Sequence, residues 1–299
     1  MRFITLIIFI SLCSLEATIA QCKYNPTGRD IITHEYFTLD YLEEHEQAAW
    51  VCYKLTREMS IGTVERTDDF KIDPKVRTGS SALEDYRGSG YDRGHLAPAA
   101  DFSFSETAMR QSFFMSNMSP QNPSFNRGIW RKLEALVRDW SLMYDELHIV
   151  TGPLFINSSE KIGPNGVTIP SHYYKVILHE RDGAFKSIAF LLENEKSNAD
   201  LVQFATSIDL VESQSGIDFF FQLPDEIENE IESEISLDDW QWEPVATPAV
   251  KETRDKGPEA RNDAERLEES VRCQGTTSKG TRCKNQTKNA SGYCHVHDG

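Results

Sequence analysis

Two stretches of the chain carry its most informative pattern: residues 88–98 read GSGYDRGHLAP, and residues 116–134 read SNMSPQNPSFNRGIWRKLE. The first stretch places Asp92, Arg93 and His95 within four residues, among glycines that allow close backbone approach to a ligand. Histidine accepts a proton near neutral pH, and the planar guanidinium of arginine suits phosphate. Taken alone, this stretch is equally consistent with a surface loop that carries a histidine by chance.

The second stretch predicts an amphipathic helix from Ile129 onward. At about 100° per residue, one apolar arc collects Ile129, Leu133, Leu136, Val137 and Trp140. Extended backward, the arc includes Asn126, while Glu134 falls just outside it. The amide of Asn126 is then either a helix N-cap or an oxygen ligand for a hard cation. Beyond the arc, a basic ridge that suits substrate phosphates is predicted from Arg127, Arg131 and Arg138.

Together these stretches resemble the DNA/RNA non-specific endonuclease family. The resemblance extends from about Tyr36 to Phe221, and its most specific part is the sequence DRGH at residues 92–95 with a correctly placed Asn126. It implies an α/β (α+β) architecture, the ββα-metal nuclease fold, in which helices flank a central antiparallel sheet. It also implies DNA and RNA as substrates.

The resemblance assigns a role to each matching residue around the metal. His95 corresponds to the general base that activates water. Asn126 corresponds to the single protein ligand of a catalytic Mg²⁺ (or Mn²⁺), and Glu134 to a carboxylate that holds metal-bound water.

Three further residues match polar positions of the family. Arg93 corresponds to a phosphate-stabilising residue, and Asn117 to the amide beside the catalytic histidine. Arg66, which precedes Asp68-Asp69-Phe70, is the candidate for the family's upstream arginine. Relatives are often dimers, and the sequence leaves the oligomeric state open between a monomer and a homodimer.

The charge of the chain is unevenly distributed. There are 31 basic and 47 acidic residues, and a formal net charge of −16 taken alone argues against a nucleic-acid binder. However, the segment Asp225–Glu243 holds nine acidic residues and no basic one. This segment is either a solvated face away from the cleft or a strip that shields the basic ridge.

The N-terminus has the pattern of a targeting signal. Arg2 precedes the apolar run Phe3–Leu12, and Ala20 ends a small-residue cleavage pattern. This predicts a secretory signal peptide over residues 1–20, with an uncleaved anchor as the alternative. We expect a secreted protein, periplasmic or extracellular, without stable membrane association.

The C-terminal region changes character after Pro244. Residues 21–244 are predicted to form the endonuclease domain, residues 245–271 a charged linker, and residues 272–299 a basic module. In that module the spacing Cys-x9-Cys-x10-Cys-x2-His suits a structural Zn²⁺ site, whose ligands are Cys273, Cys283, Cys294 and His297. The module also resembles a small zinc-binding tail found on varied bacterial proteins.

The cysteine count leaves two arrangements open. If zinc takes three thiolates, Cys22 and Cys52 remain to form a disulfide. The alternative is a second disulfide and one free thiol in the C-terminal module.

Secondary structure is predicted from a few clear patterns. The apolar runs Tyr173–His179 and Phe185–Leu192 flank an Asp-Gly pair and predict a hairpin. His148–Phe155 predicts a strand broken at Gly152-Pro153, and Asn198–Ile208 predicts a helix. Trp240 and Trp242 are expected to dock the end of the domain.

Three functions are compatible with these patterns. The leading one is an exported, metal-dependent nuclease that does not distinguish DNA from RNA. One alternative is a nucleic-acid-binding protein of the same fold without catalysis. In the other, the C-terminal module is the functional unit and the nuclease its cargo.

Overall fold

The computed structural model describes residues 21–243, 271–276, 281–284 and 286–287. The chain divides into two compact units, Met1–Ala246 and Thr247–Gly299. The predicted signal peptide lies outside the described residues. Among the described residues, no helix combines the length and hydrophobicity that a membrane span requires.

A seven-stranded antiparallel sheet forms the centre of the first unit. The described strands of this unit are β1 (Ile31–Thr33), β2 (Phe37–Leu42), β3 (Gln47–Thr56), β4 (Asp92–His95), β5 (Met118–Gln121), β6 (Glu146–Leu154), β7 (Lys161–Ile162), β8 (Val167–Thr168), β9 (His172–Arg181), β10 (Ala184–Glu193) and β11 (Ala205–Thr206). The sheet order is β1-β2-β3-β6-β9-β10-β11, while β4 pairs with β5 and β7 with β8 outside it.

Helices cover both faces of this sheet. They are α1 (Arg57–Ser60), α2 (Leu83–Tyr86), α3 (Glu106–Ser112), α4 (Pro123–Phe125), α5 (Arg131–Tyr144), α6 (Ile208–Ser215) and α7 (Asp225–Ser233). The apolar face of α5 packs into one core, and the apolar residues of α6 and α7 pack into a second core. The predicted α/β architecture with a central antiparallel sheet and flanking helices is confirmed.

The two cores follow from the alternation of side chains along the central strands. On β3, Val51 and Tyr53 belong to the core under α5, whereas Trp50 and Cys52 belong to the core under α6 and α7. Successive side chains of a strand point to opposite faces, so a strand covered on both faces is apolar throughout. A disulfide joins Cys22 to Cys52, with 5.7 Å between the Cα atoms.

The predicted hairpin is confirmed. Strands β9 and β10 pair along their whole length, from Ala184 opposite Arg181 to Glu193 opposite His172. Asp182 takes a positive φ of 54° and Gly183 one of 79°, the left-handed conformations that a tight hairpin turn requires.

Two secondary-structure predictions were wrong. The segment Asn198–Ile208 is not a helix: Leu201–Phe204 is a short 3₁₀ turn, β11 follows, and α6 begins only at Ile208. Strand β6 does not break at Gly152-Pro153, because Gly152 and Pro153 pair with Tyr174 and Tyr173 of β9. In both places tertiary pairing decides the conformation over local propensity.

The predicted docking of Trp240 and Trp242 is confirmed, because both pack against the rest of the first unit. The rings of Trp240 and Trp242 lie 4.4 Å and 5.7 Å from that of Trp140 on α5. The indole nitrogen of Trp140 donates a hydrogen bond to the carbonyl of Gln241.

The second unit contains a small antiparallel pair, β12 (Val271–Arg272) and β13 (Gln286–Thr287). The side chains of Cys273 and Cys283 are both buried and form one cluster. The amide of Gly275 donates to the sulfur of Cys273 over 3.3 Å, an arrangement that suits a thiolate ligand. Cys294 and His297, the other two predicted zinc ligands, lie outside the described residues.

Candidate active site

Strands β4 and β5 and helix α5 form a ββα unit on one side of the sheet. In the strand pair, Asp92 lies opposite Gln121 and His95 opposite Met118. Gly94 is required here, because a Cβ atom at this position would lie 2.1 Å from the side chain of Gln121. The unit brings both sequence stretches to one cavity of about 630 Å³, lined by five arginines, by one carboxylate and one amide, and by His95 and Pro98–Ala100.

His95 lies at the inner wall of this cavity and is only 8% exposed. Its ring packs against Phe113 and Phe70, with centroids 4.9 Å and 5.9 Å away. Burial, together with the positive charges of Arg66 and Arg93, lowers the pKa of His95 to about 3. The imidazole is therefore neutral at physiological pH and can accept a proton. Its Nε2 atom is buried and has no partner among the described residues.

Asn117 is fully buried and does not line the cavity. Its side-chain oxygen accepts from the amide of Ala97, and its Nδ2 donates to the carbonyls of Ala97 and Ser112. Its own carbonyl accepts from the amide of Leu96. Asn117, which the sequence analysis placed beside the catalytic histidine, thus holds the chain that follows His95 by hydrogen bonds.

Asn126 lines the cavity from a widened helical turn. The turn spans Asn126–Trp130, and Gly128 within it has non-helical angles of φ −104° and ψ −111°. The predicted amphipathic helix is confirmed: Ile129 lies in the wide turn, regular α-helix continues from Arg131, and the predicted apolar arc is buried. Wide turns of this kind often occur at functional sites, where they redirect a side chain.

A carboxylate that sequence reasoning did not single out fixes the amide of Asn126. The Nδ2 atom of Asn126 donates to Asp92 at 2.9 Å. The amide oxygen is thereby left as the group available to a cation. Asp92 also binds both Nε and a terminal nitrogen of Arg127. Asp92 is the first residue of the DRGH stretch, so the sequence already marked it as part of the site, although no role was assigned to it.

Glu134 contributes the one carboxylate of the cavity. It lies in the first turn of α5, two turns beyond Asn126. No described residue donates a hydrogen bond to it. Burial raises the pKa of Glu134 to about 7, while the positive charges of Lys175, Arg138 and Arg66 oppose the rise.

The five arginines of the cavity differ in how they are engaged. Arg93 lies over the ring of Phe70, 4.3 Å from its centroid, and Arg131 is exposed. Within residues 21–243, neither pairs with a carboxylate. Arg66 pairs with Asp68 at 2.7 Å. These cations give a locally positive cavity in an acidic protein.

Arg127 and Arg138 are held by carboxylates. The guanidinium of Arg127 is 72% exposed and pairs with Asp92. Arg138 lines the cavity with the other two arginines of the predicted basic ridge, but its side chain is only 22% exposed and pairs with the buried Asp101 at 2.8 Å. The pattern of one helix did not predict this ion pair, because Asp101 comes from the 3₁₀ turn Ala99–Phe102.

The cavity residues fit a hard cation such as Mg²⁺ or Mn²⁺ better than a softer metal that prefers sulfur or nitrogen ligands. Asn126 offers an amide oxygen held in place by Asp92, and Glu134 offers a carboxylate without a hydrogen-bond donor among the described residues. Mg²⁺ prefers oxygen ligands and retains several waters, so one protein ligand is sufficient. Within the described ranges, a cluster of three potential metal ligands occurs at Asp209, Glu212 and Glu232, outside this cavity.

The site also includes Lys175, which the sequence analysis did not assign. Lys175 is completely buried on β9, and its charge acts on Glu134. No local sequence signal could have placed it there, because β9 and α5 meet only in the folded chain.

Known proteins resemble this chain in both sequence and structure. The pattern of the DNA/RNA non-specific endonuclease family matches residues 15–226. The mitochondrial nuclease EXOG of Xenopus laevis is 35% identical over 214 residues, which cover 66% of this chain and 60% of the frog protein. Nuclease C1 of Cunninghamella echinulata var. echinulata is 36% identical over 215 residues, covering 66% of this chain and 85% of the fungal one.

A solved structure shows the same fold. It is a crystal structure of the EndoG/EndoGI complex, described as showing the mechanism of EndoG inhibition. The match has a TM-score of 0.61 and 31% sequence identity, and it covers 66% of this chain and 88% of that one.

Proposed function

The chain belongs to the DNA/RNA non-specific endonuclease family, and on that premise we propose that it hydrolyses phosphodiester bonds in both DNA and RNA. The observation that carries the proposal is the cavity in which a neutral, buried His95 lies among five arginines. Phosphate contacts carry no sequence information, so cleavage with little sequence preference is expected.

His95 is the residue that removes a proton from the attacking water. Its neutral imidazole can accept that proton, a contribution of roughly 10²–10⁴-fold. Arg93 and Arg131, without carboxylate partners among the described residues, stabilise the negative charge that builds up on the phosphate. Glu134 accepts hydrogen bonds from water in the cavity.

Asn126 would hold the divalent ion, Mg²⁺ or Mn²⁺, through its amide oxygen. Once bound, the ion supplies charge neutralisation at the scissile phosphate and the leaving oxygen, worth several kcal/mol. Asp92 keeps the oxygen of Asn126 directed away from itself, because the amide nitrogen is bound to Asp92. Asn117 holds the backbone of Ala97, two residues after His95.

Plasmid DNA and RNA digestion tests this proposal. His95→Ala should lose at least 10²-fold in rate while nucleic-acid binding persists. Asn126→Ala should also lose activity, with partial rescue at high Mg²⁺, and EDTA should stop the unmodified protein. Binding without cleavage by the unmodified protein would instead support an inactive binding protein. Sedimentation of the same preparation tests whether the protein is a homodimer or a monomer.

We also propose that the protein is exported. The predicted signal peptide over residues 1–20 and the Cys22–Cys52 disulfide support this, because disulfides persist in oxidising compartments. The frog EXOG relative, in contrast, is named a mitochondrial nuclease. A mature N-terminus at Gln21 in the exported fraction is the expected result. A protein retaining Met1 in the cytosol would refute export.

For the C-terminal module we propose a structural Zn²⁺ site formed by Cys273, Cys283, Cys294 and His297. The shared burial of Cys273 and Cys283 and the amide bond to the Cys273 sulfur support it. Elemental analysis of the purified protein should give one zinc per chain, and Cys283→Ser should release it. A disulfide between two of the three cysteines in the module, with the third as a free thiol, would favour the alternative arrangement without zinc.

A further inference from the structure

Asn194 is a buried amide at the end of the central sheet. It directly follows β10 and is only 7% exposed. Its Nδ2 atom donates to the carbonyls of Pro120 and Pro170, both at 3.0 Å, and its Oδ1 atom accepts from the backbone amide of Asn122 at 2.8 Å. Both hydrogens of the side-chain nitrogen are used, so the group is fixed at its donor end and at its acceptor end.

Two of these contacts hold one corner of the ββα unit. The corner is the segment Pro120–Pro123, in which β5 ends and α4 begins. The hydroxyl of Tyr173, on β9, donates a second hydrogen bond to the Pro120 carbonyl at 2.9 Å. Tyr173 lies opposite Leu192 near the end of β10. The open end of the β9–β10 hairpin therefore holds this corner through two side chains that sit close together in the sheet.

The corner in turn holds the backbone of Asn126. The carbonyl of Asn122 accepts from the amide of Asn126 at 2.9 Å and from the amide of Phe125 at 3.0 Å. The side-chain oxygen of Asn122 also caps α4, because it accepts from the amide of Ser124 at 3.0 Å. A single residue, Asn122, thus connects Asn194 to Asn126 through hydrogen bonds of 2.8 Å and 2.9 Å.

The backbone at Asn126 needs such support from outside its own helix. Helix α4 has only three residues, and the wide turn that follows it contains the non-helical Gly128. A helix this short is not stable by itself, so contacts with other elements must hold it. Asp92 orients the side chain of Asn126, whereas the contacts through Asn122 fix the backbone from which that side chain extends.

We propose that Asn194 is a positioning residue of the metal site. Through the backbone of Asn122, it fixes the place from which Asn126 offers its amide oxygen to the divalent ion. This inference rests on the proposed role of Asn126 in the nuclease reaction. Asn194 does not line the cavity, so it acts through Asn122 rather than by contact with the substrate.

The activity test separates the metal requirement from substrate binding. Asn194→Ala should raise the Mg²⁺ concentration for half-maximal cleavage about tenfold, a loss typical of removing a group that orients a metal ligand, while the KM for DNA at saturating Mg²⁺ stays unchanged. Ser187→Ala is the matched control, because it removes a buried hydrogen bond from β10 to the carbonyl of Ile231 in α7, in the core under α6 and α7. An unchanged Mg²⁺ requirement, or an equal rise in the control, would overturn the proposal.

A second test does not depend on cleavage. Binding of Mn²⁺ to the protein without nucleic acid, measured from the EPR signal of the free ion, should weaken about tenfold in Asn194→Ala and be lost in Asn126→Ala. Loss in Asn126→Ala together with unchanged binding in Asn194→Ala would overturn this inference and leave the proposed metal site standing. Equal binding by both variants and the unmodified protein would refute the metal site at Asn126, and this inference with it.

A third measurement needs neither metal nor substrate. Hydrogen exchange at the backbone amides of Asn122 and Asn126 should be about tenfold faster in Asn194→Ala, because the first amide loses its acceptor and the second its fixed partner, and unchanged in Ser187→Ala. If Asn194→Ala does not fold, Asn194→Asp should show the same faster exchange, since it keeps the shape of the side chain and replaces its donor end by an acceptor. Unchanged exchange in the folded variant would overturn the proposal.

Discussion

The carboxylate of Asp92 accepts a 2.9 Å hydrogen bond from the side-chain nitrogen of Asn126. This contact decides which end of the amide is available to a cation, since an amide has one donor end and one acceptor end. Asp92 also binds Arg127, so one carboxylate orders two cavity residues.

Replacing Asp92 tests this orientation. Asp92→Ala should lower the cleavage rate at least tenfold and raise the Mg²⁺ concentration needed for half-maximal activity, because the Asn126 amide is no longer fixed. Arg127→Ala is the control, since it removes the ion pair and leaves the Asn126 contact in place. Steady-state cleavage over a Mg²⁺ series distinguishes the two. Equal Mg²⁺ requirements in both variants would show that the orientation is unimportant.

The low pKa of His95 should appear in the pH dependence of stability. In the unfolded chain His95 is protonated below its ordinary pKa near 6.5, whereas in the folded chain it is protonated only below about pH 3. The free energy of unfolding should therefore decrease as the pH is lowered, and this residue should account for a loss of about 2 kcal/mol between neutral pH and pH 5. His95→Gln should lose less stability than the unmodified protein between pH 7 and pH 5 in urea denaturation. His172→Gln, outside the cavity, serves as the control.

The acidic helix α7 should not regulate the cavity. Its side chains Ile227 and Ile231 pack in the core under α6 and α7, on the face opposite α5. Glu226→Lys together with Glu230→Lys should therefore leave the salt dependence of cleavage unchanged. Arg131→Gln, in the cavity, should make the salt dependence of cleavage less steep, by the amount that the loss of about one phosphate contact predicts. A steeper salt dependence in the helix variant would favour the shielding strip.

Glu232 should destabilise the fold at alkaline pH. Burial, together with the neighbouring charges of Glu212 and Glu228, raises its pKa to about 8. Such a carboxyl favours the folded state at low pH, and this stability is lost as the pH rises from about 4.5 to 8. Glu232→Gln should raise the melting temperature at pH 8 by an amount equivalent to at least about 1 kcal/mol. The exposed Glu226→Gln should not, and equal shifts in both would contradict this explanation.

The disulfide should stabilise the first unit. It closes a loop with a sequence separation of 30 residues and lies in the core under α6 and α7. Loss of the bond in Cys22→Ser with Cys52→Ser should cost about 2–4 kcal/mol of unfolding free energy. A reducing agent should produce a similar loss in the unmodified protein and none in the variant. Insensitivity of both to reduction would indicate that the bond does not form in solution.

Local patterns were sufficient wherever one element determined the outcome. The β9–β10 hairpin was predicted because Asp182-Gly183 supplies the positive φ angles of the turn between two apolar runs. The DRGH stretch and Asn126 were predicted as site residues, and the structure places His95 and Asn126 in one cavity. Local patterns gave wrong predictions where pairing with another element decides the conformation. At Gly152-Pro153 a break in the strand was predicted, but pairing with β9 keeps these residues in the sheet.

By itself, the sequence determined the resemblance to the family, because its motifs depend on residue type and on short spacings. That resemblance implied the antiparallel architecture and most of the residues that line the cavity. Only the tertiary structure decided which of these residues are exposed, paired or charged. Asp101 pairs with Arg138, Asp92 orients Asn126, and Lys175 acts on Glu134. Charge and hydrogen bonding depend on distance in space and on burial, and neither is encoded in the separation of two residues along the chain.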